Sequence, residues 1–395
     1  MVRIKKRIFI ITIAAVFLVG GGLTFGGLYL FNMVMLDGSR AVSADEYANY
    51  KELETNFSRI NELRKYLIEN FYREIDDETV TTGFLRGLFN SPDDPFTTYY
   101  TKEELNPVIT RTTGEMSGLG ITFTSNEENA IEITNVVRDS ASEEAGVKIG
   151  DIIISVNGKT FEASDLDAVV QEAQGEPGTK VKLVINRNGT EHTFEITRSN
   201  FIVPSVTTSM LDGNIGQIII STFNQGTADD FEIALTEMED KKVEGLVIDV
   251  RNNNGGIVEQ AIRMLDLIID ESVVAYTEDG QGNRETFNTE DGKTSLPYVV
   301  LINNQSASSA EIFALGVKNM KDGNVIGETT FGKGVIQKIL RFDQGDGARI
   351  TVMQYLAPDG TPVNGIGIKP DIEISQGGDQ TKDPILKKGL EFLKK

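Results

Sequence analysis

Apolar residues recur at helical spacing over residues 46–74, at Leu53, Phe57, Ile60, Leu63, Leu67 and Phe71. This one-faced pattern predicts an amphipathic helix, read as a packing or dimerising element without chemistry. A second helix is expected over 78–89. It stops at Ser91-Pro92, because a residue before proline is driven out of the helical region. From Gly114 the texture changes to short β-type runs, 120–124, 131–136, 152–156, 180–186 and 193–197, separated by Gly and Asn/Asp turns. Arg187-Asn188-Gly189-Thr190 reads as a tight hairpin turn, since Asn-Gly accepts positive φ. With a helix over 164–174 and a short one near 142–145, residues 114–198 form a mostly β module.

Residues 199–375 read as α/β. Apolar runs at 215–220, 245–250 and 298–302 are followed by helical patterns at 227–238, 257–268 and 309–319. Buried strands alternating with helices predict a helix-covered sheet. Ligand sites in such sheets gather at the carboxyl ends of strands, so two strand-to-helix junctions stand out. The tail, 376–395, is expected to be helical.

The head of the chain has a different pattern. Residues 8–36 carry no charged side chain, preceded by Arg3, Lys5, Lys6 and Arg7 and followed by Asp37. Roughly 20 apolar residues cross a bilayer, and basic residues stay on the cytoplasmic side. Residues 1–44 are therefore expected to be a cytoplasmic basic stub and a single transmembrane anchor. Residues 45–113 are then a helical region and, like all that follows, extracytoplasmic at the cell membrane. The competing expectation is a signal peptide cut near Ala41-Val42-Ser43-Ala44.

Composition narrows the chemistry. There is no cysteine and one histidine, His192, so disulfides, thiol nucleophiles and His-rich metal sites are excluded. The 59 acidic against 38 basic side chains give −21, which argues against a nucleic-acid partner. Neither a metal nor an organic cofactor is implied.

At the first junction, Asp249-Val250-Arg251-Asn252-Asn253-Asn254-Gly255-Gly256, a polar turn with two glycines can present backbone N–H groups to an anion or an oxyanion. It can equally be an ordinary turn. The second, Asn303-Asn304-Gln305-Ser306-Ala307-Ser308-Ser309-Ala310-Glu311, places three serines where a helix begins. One serves naturally as an N-cap, and the same position suits a nucleophile. His192 sits in a hairpin of the β module and is badly placed as its base. Lys333, in Phe331-Gly332-Lys333-Gly334, has apolar neighbours that could keep its amine neutral. In the β module, Gly118-Leu119-Gly120-Ile121 can form a small anion nest before an edge strand, the kind of place where a peptide carboxylate docks.

Two resemblances follow. With Ala145-Gly146-Val147-Lys148-Ile149-Gly150-Asp151-Ile152-Ile153 and Val156-Asn157-Gly158, residues 114–198 resemble the PDZ family. This implies recognition of extended polypeptides with free C-termini. Residues 50–374 resemble the carboxy-terminal processing peptidases, or tail-specific proteases, of the S41 class. The match lies in the two junctions, in Phe331-Gly332-Lys333-Gly334-Val335-Ile336-Gln337, in Ser91-Pro92-Asp93-Asp94-Pro95-Phe96 and in Gly365-Ile366-Gly367-Ile368-Lys369-Pro370-Asp371.

The second resemblance implies Ser308 as nucleophile, with Ser309 as its rival, Lys333 as base and Gln337 as the group that orients it. The oxyanion hole falls on backbone N–H groups of Ser309 and of Gly255 or Gly256. A straight strand would hold Lys333 and Gln337 about 13 Å apart, so a turn or bulge near Gly334 is expected. Two departures stand out: Asn254 replaces the usual Pro, and Gln174 replaces an Arg that couples peptide binding to activation in some relatives.

The expectation is an α/β multidomain, membrane-anchored serine endopeptidase working by a Ser–Lys(–Gln) acyl-enzyme, with a homodimer within reach of its N-terminal helices. The alternatives are a catalytically inactive, membrane-tethered PDZ adaptor and a serine hydrolase of non-peptide esters or amides.

Overall fold

The computed structural model describes residues 44–290, 292, 294–320, 324–379 and 381–394. The expected anchor at 8–36 lies outside them. Among the described residues no helix is long and apolar enough to cross a membrane.

The chain divides into two units, one ending at Phe84 and one running from Leu85 to Lys395. In the first, the expected amphipathic helix is Ala44–Asn70. Phe57, Leu63 and Leu67 on its apolar stripe, and Phe71 just past its end, are exposed. The next helix, Asp77–Asn90, starts where Asp76 accepts from Thr79 N at 2.7 Å.

In the second unit, residues 121–197 build a sheet in the order Ile121–Ser125, Ile131–Val136, Ile152–Val156, Lys180–Arg187, Thr190–Thr197. Its own core centres on Ile133, Val156, Val169, Val181, Leu183 and Ile185. The Asn188-Gly189 turn has φ of 52° and 81°, matching a two-residue hairpin with both central residues left-handed. Ile121–Ser125 is an edge strand, with helix Leu166–Ala173 beside it. A two-stranded ribbon, Glu115–Gly118 with Ser199–Ile202, brackets this module where the chain enters and leaves.

The sheet of the α/β region runs Val206–Leu211, Ile215–Ile220, Gly245–Asp249, Tyr298–Ile302, Asn324–Gly327, Ile372–Glu373, parallel after the first pair. Alternate residues face opposite layers. Leu246, Ile248, Val300 and Ile302 join the core under helices Thr227–Asp240, Val258–Asp266 and Ser309–Met320, while Val247, Val299 and Leu301 pack with Ile385 of the C-terminal helix Pro384–Leu393. Burial on both faces explains the unbroken apolar runs in the sequence.

A second, antiparallel sheet was not expected. It runs Thr98–Tyr100, Gly347–Leu356, Ser272–Asp279, Arg284–Thr289, with Val335–Arg341 also paired to Gly347–Leu356. Apart from Val273 to Tyr276 in Ser272–Asp279, its strands mix polar and half-buried positions and carry little apolar run to betray them.

Candidate active site

The two junctions leave the carboxyl ends of neighbouring parallel strands, Gly245–Asp249 and Tyr298–Ile302, where Asp249 pairs with Leu301. They are tied to each other. Asn252 N donates to Asn303 Oδ1 at 2.9 Å, and Asn303 Nδ2 donates to Asn252 Oδ1 at 2.8 Å. Ala307 N donates to Asn253 O at 2.9 Å. Gly255 lies so close to the serine turn that a Cβ there would meet Ser308 Cβ at 2.7 Å and Ser309 N at 2.9 Å, which only glycine permits.

The three serine hydroxyls differ in what engages them. Ser306 Oγ donates to Val250 O at 2.8 Å and accepts from Asn303 N at 3.0 Å. Ser309 Oγ donates to Gly256 O at 2.9 Å. Both hold the junctions together. Among the described residues the Ser308 hydroxyl has no hydrogen bond. Ser308 is 9% exposed and sits at φ +55°, a left-handed conformation that a residue with a Cβ adopts only under constraint.

The constraint is Glu311, fully buried on the first turn of helix Ser309–Met320. Its Oε2 accepts from Ser308 N and from Lys333 N, each at 2.8 Å. Its Oε1 accepts from Thr330 Oγ1 at 2.6 Å and from Gly332 N at 2.8 Å. Tyr355 adds a second bridge, its phenol 2.9 Å from Lys333 O and 3.3 Å from Ser308 O. Burial, and then the Glu311 carboxylate, holds that phenol well above its ordinary pKa, so it is a neutral donor. Gly334 is needed for close approach rather than for its φ. A Cβ there would meet Asn364 N at 2.1 Å.

Burial pushes the Lys333 ammonium below the ordinary lysine range. The Arg349 guanidinium adds to this, and Glu311 and Asp94 oppose it. Its Nζ stands 4.7 Å from the centre of the Phe96 ring. The ladder between Val335–Arg341 and Gly347–Leu356 slips register between Ile336 and Gln337, but the extra residue, Val352, lies on Gly347–Leu356, so the bulge expected near Gly334 on the lysine's own segment is not what is found. Gln337 Nε2 nevertheless donates to Thr351 Oγ1, at 3.3 Å. Among the described residues no hydrogen bond joins Lys333 Nζ to Gln337 or to Ser308.

At the first junction the Gly255 N–H donates to Asn253 Oδ1 at 2.8 Å. Among the described residues the Gly256 and Ser309 N–H groups have no internal acceptor. Arg251 braces the turn from behind. It pairs with Asp249 and donates to both oxygens of Asp383 at 2.8 and 2.9 Å, and Asp383 in turn caps helix Pro384–Leu393 through Leu386 N at 2.9 Å. His192 is paired with Ile185 in the β module, away from these strands.

Gly118 to Ile121 join the ribbon to the edge strand. The carbonyls of Leu119 and Gly120 accept from Ser142 N at 3.2 Å and Val137 N at 2.8 Å. Among the described residues no group of three or more His, Asp or Glu side chains is arranged to hold a metal ion.

Glu311, Arg251 and Phe96 stand inside motifs read from the sequence but had no work assigned to them there, and Tyr355 and Asp383 lie outside every such motif. The signal for Glu311 was a lone carboxylate in the otherwise apolar stretch Ala310 to Val317.

A serine turn, a desolvated lysine and an adjoining PDZ module define a serine peptidase. The chain belongs to the carboxy-terminal processing proteases of peptidase family S41. The family model "Peptidase family S41" matches residues 214–374, and a PDZ domain model matches 132–187. The chain is 33% identical over 389 residues to the carboxy-terminal processing protease CtpA of Bacillus subtilis, covering 98% of this chain and 80% of that one. It is 30% identical to CtpB of the same organism, covering 96% and 82%. Among solved structures, the photosystem II D1 C-terminal processing protease aligns at 28% identity over 83% of this chain and 89% of its own, with a TM-score of 0.48.

Proposed function

We propose that this serine protease cleaves polypeptides delivered by their C-termini, through an acyl-enzyme on Ser308. A substrate tail adds to the edge strand Ile121–Ser125, with its carboxylate in the nest of Gly118, Leu119, Gly120 and Ile121. Neutral Lys333 takes the Ser308 proton, Oγ attacks the scissile carbonyl, and the Gly256 and Ser309 N–H groups receive the oxyanion. Gly255 acts by close packing against the serine turn, because its own N–H is engaged by Asn253. The proton passes to the leaving amine, and water then releases the acyl group. Gln337 orients Lys333 after turning from Thr351.

The observation that carries this reading is the hydroxyl inventory. Ser306 and Ser309 are engaged by carbonyls, whereas among the described residues the Ser308 hydroxyl has no hydrogen bond, and Ser308 is held at a positive φ by the carboxylate that also fixes Lys333. The test is turnover of an unfolded polypeptide by Ser308→Ala, Lys333→Ala and His192→Ala. Loss in the first two and retention in the third is expected; activity in Ser308→Ala would overturn it.

The domain limits that go with this reading are 114–198 for the PDZ domain and 199–375 for the peptidase domain. The uncharged run at 8–36 with its basic head supports a single membrane anchor with the catalytic part extracytoplasmic. Fractionation of full-length chain, with carbonate-resistant membrane association expected, checks the anchor.

A further inference from the structure

The motif Ser91-Pro92-Asp93-Asp94-Pro95-Phe96 has so far no role in the reaction. Its last residue lies over the proposed base, with Lys333 Nζ 4.7 Å from the ring centre. This is within cation–π range. The segment is clamped in place. Arg349 Nε donates to Phe96 O at 2.9 Å, Thr351 N donates to Thr97 Oγ1 at 3.0 Å, and Thr97 Oγ1 donates to Asp94 Oδ2 at 2.6 Å. Thr351 is also the residue that holds Gln337. The segment carrying Phe96 and the side chain proposed to orient Lys333 are therefore anchored on one strand, Gly347–Leu356.

We propose that Phe96 is a positioning residue for the reaction: its ring walls the Lys333 amine and governs how readily that nitrogen loses its proton and turns to Ser308. The inference rests on the reading of Lys333 as the base. A ring does two opposed things to a lysine. Its bulk excludes water, which favours the neutral amine. Its π-face attracts the ammonium, which favours the charged one. The other charged or titratable groups facing Lys333 are Asp94 from the same segment, Glu311 from helix Ser309–Met320, and Arg349 and Tyr355 from Gly347–Leu356. All of these stay when Phe96 is changed, so the two effects of the ring can be separated by substitution. Leu keeps the bulk and removes the π-face. Ala removes both and admits water.

The test is the pH profile of kcat/KM for Phe96→Leu and Phe96→Ala, measured on a peptide without titrating side chains, with Lys333→Ala alongside. In Phe96→Leu the acid limb moves to lower pH and kcat/KM on that limb rises about 3-fold, the size of one cation–π contact. In Phe96→Ala the limb moves to higher pH and kcat/KM at pH 7 falls about 10-fold, recovering as the pH is raised. Acid limbs superimposed on the unmodified protein's in Phe96→Leu, or a loss in both variants that is uniform across pH, would overturn the inference. Turnover by Lys333→Ala would instead overturn the base assignment. Inactivity there, with unmoved limbs in the Phe96 variants, leaves the base standing and removes only the role of Phe96.

Discussion

The amide nitrogens of Ser308 and Lys333 donate to the same oxygen, Oε2 of Glu311, each at 2.8 Å. The two segments proposed to carry nucleophile and base come from different parts of the chain, and a buried carboxylate fixes their separation. A carboxylate suits the place because it only accepts, and all four groups aimed at it are donors.

Glu311→Gln should therefore be damaging despite its matching shape. Its NH2 must face two N–H or O–H donors, leaving buried groups unpaired at about 1–3 kcal/mol each. We predict a stability loss of about 2–5 kcal/mol in urea unfolding and at least a ~100-fold loss in kcat/KM. Activity within a few-fold of the unmodified protein would show that the carboxylate does not hold the site.

The left-handed backbone of Ser308 separates stability from activity. Glycine adopts φ +55° without the steric penalty of a Cβ, about 1–2 kcal/mol. Ser308→Gly and Ser308→Ala are both predicted to be inactive, with Ser308→Gly the more stable of the two by about 1 kcal/mol in thermal or chemical unfolding. Equal stabilities would mean that the turn relaxes when the hydroxyl is lost.

Lys333 is held below the ordinary lysine range by burial and Arg349. Its folded pKa lies under its unfolded one, so the unfolded chain binds more protons between the two. This weakens the folded state fully below the folded pKa and ceases to do so as pH rises past the unfolded value, near 10.4. Lys333→Met removes the charge and keeps the stem. It should abolish turnover while the unfolding midpoint at pH 7 stays equal or rises. A clearly lower midpoint would contradict the desolvation argument.

Burial alone would raise the Asp383 pKa, but hydrogen bonds from Arg251 and Leu386 N hold its carboxyl below the usual range. That contribution is present above the unfolded value of about 3.9 and is lost as pH falls through the folded one. Asp383→Ala removes a helix cap and leaves Arg251 half-paired, which we expect to cost about 2–3 kcal/mol at pH 7. The gap from the unmodified protein should close below pH 4. A pH-independent gap would assign the effect to packing alone.

Three central strands of the core sheet were legible because burial on both faces writes continuous apolar runs such as Leu246 to Ile248 and Val299 to Ile302, whereas Val206–Leu211, Asn324–Gly327 and Ile372–Glu373 were not. The hairpin at Asn188-Gly189 was legible from its turn chemistry. The antiparallel sheet was not, because Val335–Arg341 and Gly347–Leu356 are half-exposed and interleave polar residues. At the site, Ser308, Lys333 and Gln337 were named through the family resemblance that the local motifs carry. What holds them was hidden because it acts over long separations in sequence. Glu311 reaches Lys333 and Phe96 reaches Arg349 only after the chain has folded. The engagement of Gly255 N–H by Asn253, which leaves Gly256 as its neighbouring donor, likewise needs side-chain positions that no spacing reveals.

The most direct test of the central claim is mass spectrometry of the protein and its products during turnover of an unfolded polypeptide with a free apolar C-terminus. The account predicts cleavage upstream of that terminus and an acyl adduct on the peptide containing Ser308, mapped to Ser308 itself and absent in Ser308→Ala and Lys333→Ala. An adduct on Ser309, or cleavage that persists in Ser308→Ala, would contradict it.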